Sequence, residues 1–296
     1  MIFISGNLRA SGSLVALAIG DAMGAPLEGS AQPSVWVTEM LPGGLHFRKR
    51  GQITDDTLQA MAVAESLVAC GEFDQKDLIS RLISGYEMRP EWYGPTSSAF
   101  FELVKSGTLP HRAARIVHKR KRGSRSNGSV MRGFPLGIRY SSSKVYEVSL
   151  ACSQVSHFDP VAAHCSAWLN VMASDMCRGV PRSAAYRHAR MLCTHDEVHA
   201  VLGNYESYPV DPSLDAVLCS HAALVSFMHA RTLEGAILSA INLGGDADTV
   251  GACCGALAGA YWGLDAVPTR WRMELEGCEY IQHLAELLWD SAEQSP

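Results

Sequence analysis

Two short acidic motifs hold the residue types best suited to chemistry: Thr54-Asp55-Asp56-Thr57 and Gly244-Gly245-Asp246-Ala247-Asp248-Thr249. Each stands directly before an apolar stretch with helical spacing. Read singly, each is best explained as a helix N-cap, because Asp and Thr favour that position and the macrodipole stabilises carboxylates there. One cap needs one side chain, however, and each motif offers two carboxylates with flanking hydroxyls. Gathering four carboxylates is costly unless cations neutralise them. Hard divalent cations such as Mg2+ and Mn2+ take this donor set, oxygens from carboxylates and hydroxyls with positions left for water. Gly244-Gly245 lets the backbone come close. Asp56 and Asp246 are 190 residues apart, so only a folded helical core could bring the motifs together. Periodicity alone does not establish that they meet.

The elements that must position them read as helix after helix. Apolar residues recur at helical spacing from Leu8 to Met23, and again from Leu58 to Ala69. Further helices are expected at about 76–87, 97–104, 143–154, 160–177, 183–193, 214–229, 233–242, 249–261 and 271–288. The last carries a clear amphipathic stripe through Leu275, Cys278, Ile281, Leu284, Leu287 and Leu288. Val35 to Val37 is the one fragment to consider as strand. No phosphate-binding glycine pattern follows a strand, and no repeat or low-complexity linker is visible. The expectation is a single all-α domain over 1–296, with long loops at about 24–52, 111–129 and 194–213. Loops of that length are often functional.

Composition sets the outer limits. The chain has 296 residues, 47% apolar and 19% charged, enough for a sizeable core. A net charge of -5 argues against a general nucleic-acid binder. No apolar run is read as long enough to span a bilayer, and Met1 to Ala10 lacks the layout of a secretory signal. Nine cysteines, without CxxC or zinc spacing, suit reduced and mostly buried thiols in a cytoplasmic protein. One segment stands out: His111 to Arg125 holds Arg112, Arg115, Lys119, Arg120, Lys121, Arg122 and Arg125 and no acid. It reads as a solvated loop, or more sharply as a local attraction for an anion such as a pyrophosphate.

Four motifs occur in order: Gly20-Asp21-Ala22-Met23-Gly24 with Glu28, Ile53-Thr54-Asp55-Asp56-Thr57, Asn127-Gly128-Ser129-Val130-Met131-Arg132, and Gly244 to Gly251. In this combination, from about Leu8 to Leu288, the chain resembles the ADP-ribosylglycohydrolase family. The resemblance implies a compact orthogonal bundle of helices with a two-metal centre. It implies Thr54, Asp55, Asp56, Asp246, Asp248 and Thr249 as ligands of two divalent cations, Mg2+ or Mn2+, with Asp248 bridging them. Glu28 and Asp55 become the candidate proton-transfer groups. Thr96, Asn127, Gly128, Ser129, Met131 and His157 become the candidate substrate contacts, with the Asn127-Gly128-Ser129 turn wrapping a pyrophosphate. Each has a plainer reading: Glu28 as a loop carboxylate, Asn-Gly as a common turn, His157 as a structural imidazole. Tyr205 and Tyr208 read better as surface tyrosines than as adenine platforms.

The activity implied is hydrolysis of the bond joining ADP-ribose to an acceptor, arginine on protein first. The partners are then an ADP-ribosylated protein and ADP-ribose as product. Some relatives acting on arginine carry an Asp near Glu91 or Trp92. Here Trp92-Tyr93 fills most of that spot, which leaves Glu91 to hold a guanidinium. Two alternatives stand beside this reading: a di-metal hydrolase of a small ADP-ribose-like metabolite, and a silent ADP-ribose-binding module.

Overall fold

A computed structural model describes residues 4–293. Fifteen helices follow one another: α1 (Gly6–Gly24), α2 (Asp55–Cys70), α3 (Gln75–Met88), α4 (Pro95–Lys105), α5 (Pro110–Lys121), α6 (Phe134–Arg139), α7 (Ser142–Gln154), α8 (Pro160–Cys177), α9 (Arg182–Leu192), α10 (Asp196–Leu202), α11 (Ala216–His229), α12 (Leu233–Ile241), α13 (Ala247–Trp262), α14 (Thr269–Glu274) and α15 (Cys278–Glu293). No strand occurs among the described residues. Val35 to Val37 is irregular, and the extended pairings among the described residues are isolated bridges, Gly43 with Arg48 and Ser126 with Asp215.

The centre of the fold is the antiparallel pair α1 and α13. Their backbones touch, and the sequence permits it by placing glycine at every crossing. A Cβ on Gly20 would lie 2.0 Å from the carbonyl oxygen of Gly251, one on Gly255 2.1 Å from that of Ala16, and one on Gly259 1.9 Å from that of Gly12. Only a residue without a side chain allows so close an approach. Both helices are buried over most of their length. The pairing sets the end of α1 beside the start of α13, with Gly24 against Ala247.

Several sequence expectations change in the structure. The basic run was expected to be a loop, but most of it is α5. That helix buries only Ala113, Ala114 and Val117, an apolar face too thin to stand out among the charges. The expected helix at 271–288 is two, α14 and α15, separated at Leu275 to Gly277, where Gly277 takes φ 70°. The loop expected at 194–213 contains α10. Gly6–Leu27 is, by length and composition, long and apolar enough to cross a membrane, contrary to the sequence reading. It is 94% buried within the protein over its most apolar window, which is the environment of a core helix. All nine cysteines are unpaired, and all but Cys70 and Cys278 are buried.

Candidate active site

The acids meet where α1 ends and α2 and α13 begin. Asp21 lies in the last turn of α1, fully buried. Its Oδ2 accepts the backbone N–H groups of Thr54 (2.9 Å) and Thr57 (3.2 Å) and the Thr57 hydroxyl. One carboxylate oxygen thus ties the start of α2 to α1. Thr54 is the N-cap of α2, its Oγ1 accepting the Asp56 N–H at 3.2 Å. The capping role therefore belongs to the threonine and leaves Asp55 and Asp56 for other work. Asp246 occupies the N-cap position of α13 but makes no capping hydrogen bond. It accepts the side-chain amide of Asn127 instead. Gly244 and Gly245 precede it at φ 73° and 63°, left-handed values that favour glycine. A Cβ on Gly245 would also strike the Pro212 carbonyl oxygen.

Carboxylate oxygens from Asp21, Asp56 and Asp248 lie within 4.8 Å of one another, as do those of Glu28, Asp246 and Asp248. Asp248 belongs to both sets. Burial pushes the carboxyls of Asp21, Asp56 and Asp248 above their ordinary range, Asp55 up to about 8 and Asp246 up to about 6. For Asp55 and Asp56 the next cause is a neighbouring acid, Asp21 and Asp248 respectively. The Oδ1 atoms of Asp21 and Asp56 are buried with no hydrogen-bond partner. Buried carboxylate oxygens without a donor are costly, and a cation is the partner that would satisfy several at once. The donor set fits a hard divalent metal.

All of these acids except Asp21, which lies behind them, border a cavity of about 210 Å³. Glu28, Asp55, Asp56, Asp246, Asp248 and Thr249 line it on one side. Thr96, Ser97, Ser126, Asn127, Gly128 and Met131 line it elsewhere, and His46, Glu91, Trp92 and Tyr93 stand with them. Ligand sites commonly enclose about 300–1,000 Å³, so a longer ligand must continue along the mouth. The mouth has its own bracing. Half-buried Glu28 sits 3.5 Å from the guanidinium of buried Arg48, which stacks over Trp92 with 5.5 Å to the ring centroid. Arg89 lies 5.3 Å from the same ring and 3.8 Å from the Glu91 carboxylate.

A residue set of this composition, on this fold, is decided by comparison. The family model for ADP-ribosylglycohydrolase matches residues 7–296. This chain belongs to that family. It is 28% identical over 277 residues to an ADP-ribosyl-[dinitrogen reductase] glycohydrolase of Rhodospirillum rubrum, covering 90% of each chain. It is 29% identical over 301 residues to an ADP-ribosylarginine hydrolase of Pseudomonas putida, covering 97% of this chain and 79% of the relative. A solved structure described as an ADP-ribosylglycohydrolase-related protein complex superposes with a TM-score of 0.85 at 32% identity, over 97% of this chain and 99% of that one. The ADP-ribosylglycohydrolase fold is therefore an all-helical domain here, with a buried acidic cluster consistent with a metal site.

Most of the residues picked from the sequence face the cavity, but three do not line it. Thr54 is fully buried as the α2 cap. Ser129 lies beneath the turn and accepts a hydrogen bond from Ser153 Oγ at 2.7 Å. His157 is fully buried behind Gly128, where a Cβ would lie 3.2 Å from its Cε1 and Nε2, a contact tighter than usual. Its Nε2 meets Ser126 Oγ at 3.2 Å and its Nδ1 meets Ser156 Oγ at 2.9 Å. Burial, and then the charge of Arg132, push its pKa down to about 3, so it is neutral at ordinary pH. Tyr205 packs on Tyr186, and Tyr208 is exposed beside His221; neither lines the cavity.

The sequence reading gave Asp21 no role, although its signal was present: an acid inside an otherwise apolar helix. Also unforeseen is the buried relay behind Asp55. Gln59 donates to Asp55 at 2.9 Å, and Arg132 donates to Gln59 at 3.1 Å and to Ser156 Oγ at 3.0 Å. The same arginine fixes both the Asp55 side and the His157 side of the cavity.

Proposed function

We propose that this protein hydrolyses the glycosidic bond between ADP-ribose and an acceptor, most simply arginine on a protein, using two divalent cations, Mg2+ or Mn2+. The observation that carries this reading is the pair of three-carboxylate clusters sharing Asp248, set into a cavity whose other wall is the Thr96 and Asn127-Gly128 turn region. Asp21, Asp55, Asp56, Glu28, Asp246 and Asp248 with Thr249 are the residues that would hold the ions. Thr54 caps α2, and its hydroxyl, 3.2 Å from the Asp56 carboxylate, is a further donor that would face the ions. When bound, such ions neutralise the acids, orient ribose hydroxyls and make a water easier to deprotonate.

The remaining work falls to the chain. Asn127 locks Asp246 through its amide. Gly128, backed by His157, lets the turn approach a pyrophosphate with backbone N–H groups. Thr96 and Met131 shape the wall, and Ser129 holds the turn from below. Glu28 is placed at the opening to take a proton from the attacking water at a carboxylate oxygen, with Asp55 as the neighbouring acid. Water adds its hydroxyl to the anomeric carbon as the bond to the acceptor nitrogen breaks. A guanidine departs as a stable base and needs little acid assistance. Arginine as acceptor is supported by the printed activity of the Pseudomonas putida relative, and by Glu91, which already holds the guanidinium of Arg89 at the mouth.

The test is release of ADP-ribose from arginine-ADP-ribosylated and serine-ADP-ribosylated protein, run with Mg2+, with Mn2+ and with EDTA. Metal-dependent release from the arginine substrate is expected. Release from neither, with ADP-ribose still bound, would overturn the reading in favour of a silent binding module.

A further inference from the structure

The basic segment takes no part in the chemistry above. On α5, Arg112, Arg115 and Lys119 recur at spacings of three and four, opposite the buried Ala113, Ala114 and Val117. Arg120, Lys121 and Arg122 crown the end of the helix, and all six cations are exposed. Among the described residues none of the six forms an ion pair or a side-chain hydrogen bond; Arg115 alone has a partner, the Phe158 ring at 5.1 Å. Arg125, by contrast, is spoken for by Asp215 and Glu197.

Helix stability does not explain this arrangement. Cations suit the last turn of a helix, which accounts for Lys119 to Lys121. They do not suit the first turn, yet Arg112 stands there, in a helix with no acid in its first turn and no side-chain cap. Like charges three and four residues apart also repel. A stripe that works against its own helix is best explained by something outside the helix.

We infer that α5 is a docking surface for an acidic face of the ADP-ribosylated acceptor protein. The inference rests on the hydrolase reading, since it assigns that site a macromolecular substrate. Position supports it. Arg122 is four residues from Ser126 on the cavity wall, a reach of at most about 14 Å. α5 also packs on α4, whose first turn, with Thr96 and Ser97, lines the same cavity. A protein held on α5 therefore has its modified side chain near the mouth. Charge selects the partner. The chain carries -5 overall, so setting these six cations aside leaves -11 on the rest. A stripe about 15 Å long suits a compact acidic patch, whereas a long nucleic acid would run off it onto a net negative body.

The experiment uses the full chain with its metal. Binding of a fluorescent ten-residue polyglutamate peptide is measured at 150 mM NaCl for the natural sequence and for the triple variant Arg112→Glu, Arg115→Glu, Lys119→Glu. The triple Gln variant stands in if the reversal lowers the melting temperature. The expected result is at least a tenfold loss of peptide affinity. In parallel, KM for an acidic ADP-ribosylated protein should rise while kcat/KM for free ADP-ribosylarginine stays unchanged. Equal peptide binding by variant and natural protein would overturn the inference, as would tighter binding of single-stranded DNA of equal charge. Failure of the natural protein to cleave even ADP-ribosylarginine would count against the hydrolase reading, and the peptide arm would still judge α5.

Discussion

The floor and the mouth of the cavity are built by different physics. The floor is where α1, α2 and α13 converge, and backbone sets its shape: glycine crossings between α1 and α13, and main-chain N–H groups donated to Asp21. The mouth is held by side chains on irregular segments, Glu28 to Arg48 to Trp92, with Arg89 and Glu91 outermost. Backbone contact tolerates almost no change, because any added atom collides. Side-chain bracing can be exchanged piece by piece. On the proposed function, the hydrolytic chemistry belongs to the rigid part and the choice of acceptor to the adjustable part.

That contrast can be broken in graded steps. The largest effect should come from Asp248→Asn, which removes the carboxylate common to both clusters. Activity should fall on the order of 10³-fold with the circular dichroism spectrum retained; near-normal turnover would dissolve the two-cluster floor. Next, Gly20→Leu should force α1 from α13 and destabilise the protein by about 3 kcal/mol or more in urea titration. A smaller loss would mean the crossing is not held by backbone contact. At the mouth, Arg48→Gln should raise KM about tenfold, equivalent to ~1.4 kcal/mol. At least one ion should be kept, because that arginine contacts only the Glu28, Asp246 and Asp248 set and not the Asp21, Asp56 and Asp248 set. Equal damage to metal binding would erase the distinction between floor and mouth.

A separate test concerns pH. His157 is held neutral with its pKa lowered to about 3, chiefly by burial. A lowered pKa means that its contribution to stability is full above the unfolded value near 6.5 and is lost as pH falls toward 3. His157→Asn should therefore lose less stability than the natural protein between those pH values in parallel thermal melts. Parallel curves would show that this imidazole is not held neutral by the fold.

The sequence made some of this legible and hid the rest for definable reasons. Asp55, Asp56, Asp246 and Asp248 were readable because acids in pairs before apolar helices exceed what capping needs. Asp21 stood out as an acid in an apolar helix, but its purpose did not, because its partners are amides 33 and 36 residues on. Arg48 and Trp92 meet only through the path of an irregular loop, which has no periodicity to read. The helices of the core announced themselves by apolar spacing. α5 did not, because its charges outnumber its three buried residues. His157 and Ser129 stand one layer behind the cavity lining, a distinction that sequence position does not carry.

The α1 and α13 contact also has a consequence for the chain as it is made. α1 is made well before its partner, which follows only after α2 to α12 have been synthesised. During that interval an apolar helix of membrane-like composition has no mate. Transiently exposed surface of this kind is what chaperones hold and what aggregation exploits. The close glycine crossing that makes the finished site rigid also makes the nascent protein wait through eleven further helices before any site exists.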